Sequence, residues 1–250
     1  MLQQTQASRV EPIFESFVAR FPHVAVLAEA SRADVLRAWA GLGYNRRAIA
    51  LHQAARAIVR DHGGRVPREV GALTRLPGVG PYTAAAVASI SHGAPVAAID
   101  SNVRRIVARA VHGAEPDEVP FGRLALDAQA WLDPSAPGEW NQALMDLGRV
   151  HCRPAARCDG CPLAPGCAFR AAGRTGRPSG RRQSRFEGSA RQVRGAVVET
   201  LRRTRRSVSA ETLAERTGFG AGAIARVNDA LAREGIIERT RSGRFRLPAR

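Results

Sequence analysis

The chain has 250 residues, enough for one large domain or two smaller ones around a substantial core. Hydrophobic residues make up 44%, which excludes a disordered chain, and no run of 18 apolar residues is present to suggest a membrane-spanning helix. Basic residues number 38 against 22 acids, and the net charge of +16 favours a polyanionic partner, most simply nucleic acid.

Every one of those basic residues is Arg. With no Lys, any mechanism that needs a lysine amine as nucleophile is excluded. The opening MLQQTQASR lacks the apolar core of a signal peptide, so a cytoplasmic protein is expected.

In chain order, apolar residues at helical spacing predict a helix over 7–20, with Val10, Ile13, Phe14, Phe17 and Val18 on one face. Ser31, three residues before Asp34, predicts an N-cap ahead of the stripe Val35, Leu36, Trp39. Helical patterns recur over 46–62, 83–91, 102–111, 122–132 and 139–150, and no convincing strand alternation interrupts them before residue 170. The expected class is therefore mainly α.

Between these helices lie three motifs. The stretch Leu76-Pro77-Gly78-Val79-Gly80-Pro81-Tyr82 reads as a helix–turn–helix junction whose glycines allow unusual backbone angles. Pro81 suits the first turn of the following helix, whose N-terminus could hold a DNA phosphate. Asp100, 20 residues beyond Gly80, opens Asp100-Ser101-Asn102 at an expected N-cap. A cap alone is the ordinary reading; a carboxylate there could also stabilise a developing sugar cation. The third motif is Cys152-x5-Cys158-x2-Cys161-x5-Cys167, which holds all four cysteines. In a cytosolic protein it argues for a metal centre, and four thiolates suit either a 4Fe–4S cluster or a structural zinc.

Charge divides the chain. Residues 1–170 carry 19 Arg and 15 acids, whereas residues 171–250 carry 19 Arg and 7 acids. The boundary, 171–188, is rich in Arg and Gly and reads as a linker, either a plain tether or a strip lying along phosphates. Beyond it, amphipathic helices are expected over 191–203, from Ser209 to Gly218, and over 221–234, followed by a basic hairpin from Ile236 to Leu247. This tail, 189–250, resembles a winged helix suited to duplex contact.

Taken together and in this order, the three motifs resemble the helix-hairpin-helix DNA glycosylases. Met1-Leu2-Gln3-Gln4-Thr5-Gln6, Gly41-Leu42-Gly43-Tyr44 and Asn141 to Gly148 are similar to the adenine DNA glycosylases within that superfamily. The resemblance covers about residues 1–170. It implies a two-lobed fold with an iron–sulfur loop at 152–167, and a monomeric enzyme on double-stranded DNA, in the cytoplasm with the nucleoid. Adenine opposite 8-oxoguanine or guanine would be flipped out and excised. Asp100 would stabilise the oxocarbenium ion and Asn102 would hold its carboxylate.

Gln3, Gln4 and Tyr44 would enter the stack at the lesion. Leu76, Gly78, Val79 and Gly80 would clamp the backbone beside Tyr82, and Cys152, Cys158, Cys161 and Cys167 would hold the 4Fe–4S cluster. Tyr82 occupies the position of the Lys in bifunctional endonuclease III relatives, which agrees with a monofunctional enzyme. The sequence departs from the family at three points. It spaces its first two cysteines by five residues instead of six. The family's general-acid Glu lies two residues before the equivalent of Met1, so a longer natural chain is expected. A Nudix-like domain is replaced by the winged-helix-like tail. The alternatives are a thymine or uracil mismatch glycosylase, and a DNA-binding protein impaired in catalysis.

Overall fold

The computed structural model describes residues 1–3, 5–177 and 185–249. Its secondary structure is helical apart from one small hairpin. Helix α1 spans Ala7–Arg20, α2 Val24–Glu29, α3 Arg32–Ala38 and α4 Arg46–His62. Helices α5 (Val70–Thr74), α6 (Pro81–His92), α7 (Ser101–His112), α8 (Phe121–Ala130) and α9 (Pro137–Val150) follow, then a short α10 (Ala168–Ala171). The tail adds α11 (Ala190–Arg202), α12 (Ala210–Thr217) and α13 (Ala221–Arg233). It closes with antiparallel strands β1 (Glu238–Arg239) and β2 (Phe245–Arg246). None of the described helices is long and apolar enough to cross a membrane.

Local chemistry sets the boundaries. Ser31 accepts the Asp34 N–H at 3.0 Å and starts α3 as its spacing predicts. Ser189 and Ser209 cap α11 and α12 in the same way, each accepting the N–H three residues on. Helices α4, α6, α7 and α12 stop at glycines in the left-handed region, where a Cβ would be strained. Helix α2 carries no strong sequence signal, because six residues are too few to show a period.

The chain forms two compact units. Among the described residues, the first comprises those within 1–66, 76–78 and 185–249, and the second those within 67–75 and 79–177. In the first unit one apolar core takes residues from both ends of the sequence. Val35, Leu36, Trp39 and Ala48 pack with Val197, Val198, Leu213, Ile224, Leu231 and Ile236 in a single buried cluster. Polar links run alongside. The Arg202 guanidinium donates to Leu36 O at 2.9 Å and to Asn45 Oδ1 at 2.7 Å, and Ala33 N–H donates to Pro248 O.

The second unit is centred on α7, whose Val103, Ile106, Val107 and Ala108 are buried with Leu124, Ala128 and Leu144. Helices α8, α9 and α10 pack against it, and α6 packs against α9. Residues 174–177 of the Arg-rich stretch belong to this unit. Arg174 stacks on Phe169 with 4.9 Å to the ring centroid, and donates to Gly113 O and to Glu118.

Candidate active site and four-cysteine cavity

Asp100 is the N-cap of α7. Its Oδ1 accepts the N–H groups of Asn102 and Val103 at 2.8 and 2.7 Å. Its Oδ2 accepts Asn102 Nδ2 at 2.9 Å. Three N–H donors at a helix N-terminus thus fix a half-buried carboxylate in one orientation and complement its negative charge. Asn102 is fixed in turn by Arg105, which donates to its Oδ1 at 2.8 Å, to Gly148 O at 3.0 Å and to Cys152 O at 2.5 Å. Burial lowers the pKa of the Arg105 guanidinium, though Arg stays charged.

Two further residues shape this carboxylate from α9. Asn141, 1% exposed, accepts Ala98 N–H at 2.8 Å and donates to Ser89 Oγ and Val96 O at 3.0 and 2.9 Å. It ties down the extended segment that leads into Asp100. Gly148 faces Asn102 so closely that a Cβ there would lie 2.4 Å from Asn102 Cβ. Tyr82, at the start of α6, donates its hydroxyl to Met145 Sδ at 3.1 Å. Burial raises its pKa, and the Asp100 charge raises it further.

In the junction before α6, Leu76 is buried. Gly78 has φ +76 and sits where a Cβ would come within 2.6 Å of Ala50 Cβ, so glycine is required there twice over. Gly80 has an ordinary φ of −87 and caps α6 through its backbone, with Pro81 next. Gly80 is exposed, and a Cβ there would meet nothing within 4 Å. Val79 is half-buried between them.

The other predicted DNA-contacting residues lie in the first unit. Tyr44, in the turn after Gly41 and Gly43, has φ +43, the only positive φ outside glycine among the described residues, and is 49% exposed. A bulky residue in that region is strained, and such strain persists where the surroundings impose it. Arg47 is a large part of those surroundings. Its guanidinium lies 5.5 Å from the Tyr44 and Trp39 ring centroids. It donates to Met1 O at 2.8 Å, Thr5 Oγ1 at 2.9 Å and Leu42 O at 3.1 Å, and also to Gln3 O. One arginine therefore binds the opening segment to the Tyr44 turn. Gln4 falls outside the described residues.

Cys152, Cys158, Cys161 and Cys167, all half-buried, line one cavity with Ile106, Leu147, Leu163 and Phe169. Arg109, 2% exposed, stands on its wall. It pairs with the buried Glu115 at 2.9 Å, donates to Arg153 O and Pro154 O at 2.5 and 2.8 Å, and reaches 3.9 Å from Cys152 Sγ. Burial raises the Cys152 thiol pKa, and Arg109 opposes that shift. Among the described residues no three His, Cys, Asp or Glu side chains converge tightly enough to hold a single ion.

Sequence reasoning assigned no role to Arg47, Arg105, Arg109, Asn141 or Gly148. Arg105 carried a usable signal, since it lies three residues beyond Asn102 on one helix face. The others depend on contacts between distant segments.

A family model described as HhH-GPD superfamily base excision DNA repair protein matches residues 1–120. The adenine DNA glycosylase of Mycolicibacterium smegmatis is 42% identical over 99% of this chain and 84% of its own length. The chain belongs to the adenine DNA glycosylase family. It is a base-excision repair DNA N-glycosylase. The Mycobacterium tuberculosis member of the family is 43% identical over 99% of this chain and 83% of its own. The human member is 40% identical, over 68% of this chain and 32% of its own. Among solved structures, a thermostable thymine-DNA glycosylase superposes with a TM-score of 0.63 at 28% identity, covering 68% of this chain and 80% of that one. An endonuclease III–DNA complex gives 0.59 at 20%, a likeness of fold.

Proposed function

We propose that this enzyme removes adenine mispaired with 8-oxoguanine or guanine in duplex DNA, by hydrolysis of the N-glycosidic bond and without lyase action. The observation that carries this reading is the Asp100 carboxylate, held by three N–H donors and braced through Asn102 and Arg105. As the bond to the base breaks, positive charge grows on the sugar. A fixed carboxylate stabilises it without having to reorganise. Gln3, Gln4 and Tyr44 act in extrusion of the adenine, and the Leu76–Gly80 junction with Tyr82 grips the backbone. Tyr82 cannot form a Schiff base, and no Lys exists to do so.

The four cysteines would hold a 4Fe–4S cluster. A tetrahedral zinc draws its sulfurs to about 2.3 Å from one point. Four cysteines lining one apolar cavity suit a thiolate-bound metal centre of either kind, and it is the family resemblance that favours the cluster over zinc. Arg109 and the apolar wall would then set the cluster's electrostatic surroundings. The tail 189–250, with α12 and α13 as its helix pair and the β1–β2 hairpin as its wing, is read as a winged-helix-like DNA contact. The protein would work as a monomer.

The test is a duplex with adenine opposite 8-oxoguanine, incubated with the protein and then alkali. Strand cleavage at adenine only after alkali supports the reading. Cleavage at thymine or uracil, or binding without cleavage, contradicts it.

A further inference from the structure

The turn that carries Tyr44 joins α3 to α4, and it is clamped from the tail. Arg202, the last residue of α11, reaches both of its ends. The guanidinium donates to Leu36 O, in the last turn of α3, at 2.9 Å. It also donates to Oδ1 of Asn45, the residue after Tyr44, at 2.7 Å. Its remaining nitrogen lies 3.6 Å from Glu199, and only 10% of the Arg202 side chain is exposed. Burying a cation costs solvation energy, which well-aligned acceptors offset.

Asn45 is the matching half of the clamp. It stands at the N-terminal boundary of α4, where an Asn side chain ordinarily caps a helix, yet it makes no capping bond. Its amide oxygen is turned to Arg202 instead. Between the two clamped ends the backbone is unusual. Gly41 and Gly43 have φ +85 and +65, and Tyr44 has φ +43 without a glycine's freedom. Trp39 Nε1 donates to Gly43 O at 3.0 Å and Arg47 to Leu42 O at 3.1 Å, which fixes the middle of the turn. A left-handed Tyr relaxes to an ordinary conformation unless its flanks are pinned. Such relaxation swings the ring away from where the turn presents it.

We propose that Arg202 is a positioning residue for base extrusion: through it the C-terminal tail holds the α3–α4 turn in the form that presents Tyr44 to the DNA stack. The tail then serves excision from inside the fold, separately from a DNA contact of its own. The inference rests on the reading of Tyr44 as a residue that enters the stack.

The probe is a duplex with a 2′-fluorinated adenine opposite 8-oxoguanine, which resists excision because the fluorine destabilises the sugar cation. A 2-aminopurine beside the 8-oxoguanine brightens when it is unstacked. Asn45→Ala in the full chain removes one acceptor and leaves the Arg202 bond to Leu36 O in place, so its Tm should stay close to the parent's. It should slow both the fluorescence rise and single-turnover excision of unmodified adenine by roughly tenfold, within the range that a small misplacement causes. Asn45→Asp keeps the acceptor and should restore both rates. Arg202→Gln should slow both rates as Asn45→Ala does. In a Tyr44→Ala background neither change should slow the rise further, because the ring they position is gone.

Parental rates in Asn45→Ala and Arg202→Gln, with Tyr44→Ala slowed, would overturn the proposal alone. So would a loss that persists undiminished in the Tyr44→Ala background, which marks general damage to the fold. A parental fluorescence rise in Tyr44→Ala itself would sink the reading of Tyr44 as a stack-entering residue, and the role of Arg202 with it.

Discussion

At the scale of single residues, much of the candidate site depends on contacts too close for any substitution to be neutral. Gly148 is the clearest case. Its hydrogen points at Asn102, and a methyl group there would overlap Asn102 Cβ at 2.4 Å. Both atoms sit on packed helices, so neither can swing away. Gly148→Ala should cost about 1–3 kcal/mol of stability through overpacking, read by thermal unfolding. Because the displaced residue is the one that holds Asp100 Oδ2, excision should fall more than the stability loss explains. An Ala variant with unchanged single-turnover excision would show that Asn102 does not position the carboxylate.

Asn141 makes a second prediction at this scale. Asn141→Ala leaves the Ala98 N–H and Val96 O without their partner, and should destabilise by on the order of 3 kcal/mol. Urea unfolding with an unchanged midpoint would contradict this. Asp100 as an N-cap was legible from the sequence, since Asp before a helix has a local cause. The supporting shell was not legible, because Asn141 and Gly148 act through segments some 40 residues away.

At the scale of elements, the helices with a full apolar period were readable to within about two residues, as α1 and α4 show. The short α2 and α10 were not, and the hairpin strands are only two residues each. The polar ties between elements follow charge more than period. Glu118 is one such tie. It takes Arg174 at 3.0 Å and Arg177 at 3.3 Å, and also accepts Glu115 N–H.

Those donors, the Arg174 bond first, lower its pKa from 4.5 to about 2. A depressed carboxylate pKa means the tie contributes fully above the unfolded-state value, and is lost as the pH falls through about 2. Acidification from pH 5 toward 2 should therefore loosen residues 174–177 from Glu118. Hydrogen exchange at the Glu115 amide measures it. Exchange that does not quicken across that window, beyond its intrinsic pH trend, would contradict the tie.

At the scale of the whole molecule, the sequence suggests a tail separated by an Arg-rich stretch. The core of the first unit is nevertheless built from both ends of the chain. Composition marks a change in charge at residue 170, but it cannot show that Val197 and Ile224 fill the same core as Val35 and Leu36. Only the side chains in contact carry that information. Deleting 189–250 should consequently uncover Val35, Leu36 and Trp39, which are at most 1% exposed. We expect the shortened chain to aggregate instead of surviving as a smaller enzyme. A soluble truncation with an unchanged Tm would contradict the shared core.

The central claim is that Asp100, as held here, carries the chemistry of excision and not the fold. Single-turnover excision by Asp100→Asn on a duplex with adenine opposite 8-oxoguanine, beside duplex binding by anisotropy, tests it most directly. The amide keeps one oxygen to accept the Asn102 and Val103 N–H groups, so α7 stays capped and binding should stay within a few-fold of the parent. Excision should fall by at least about 10³, the scale seen when one preorganised electrostatic group is removed. Excision within tenfold of the parent, or loss of binding in step with excision, would contradict the account.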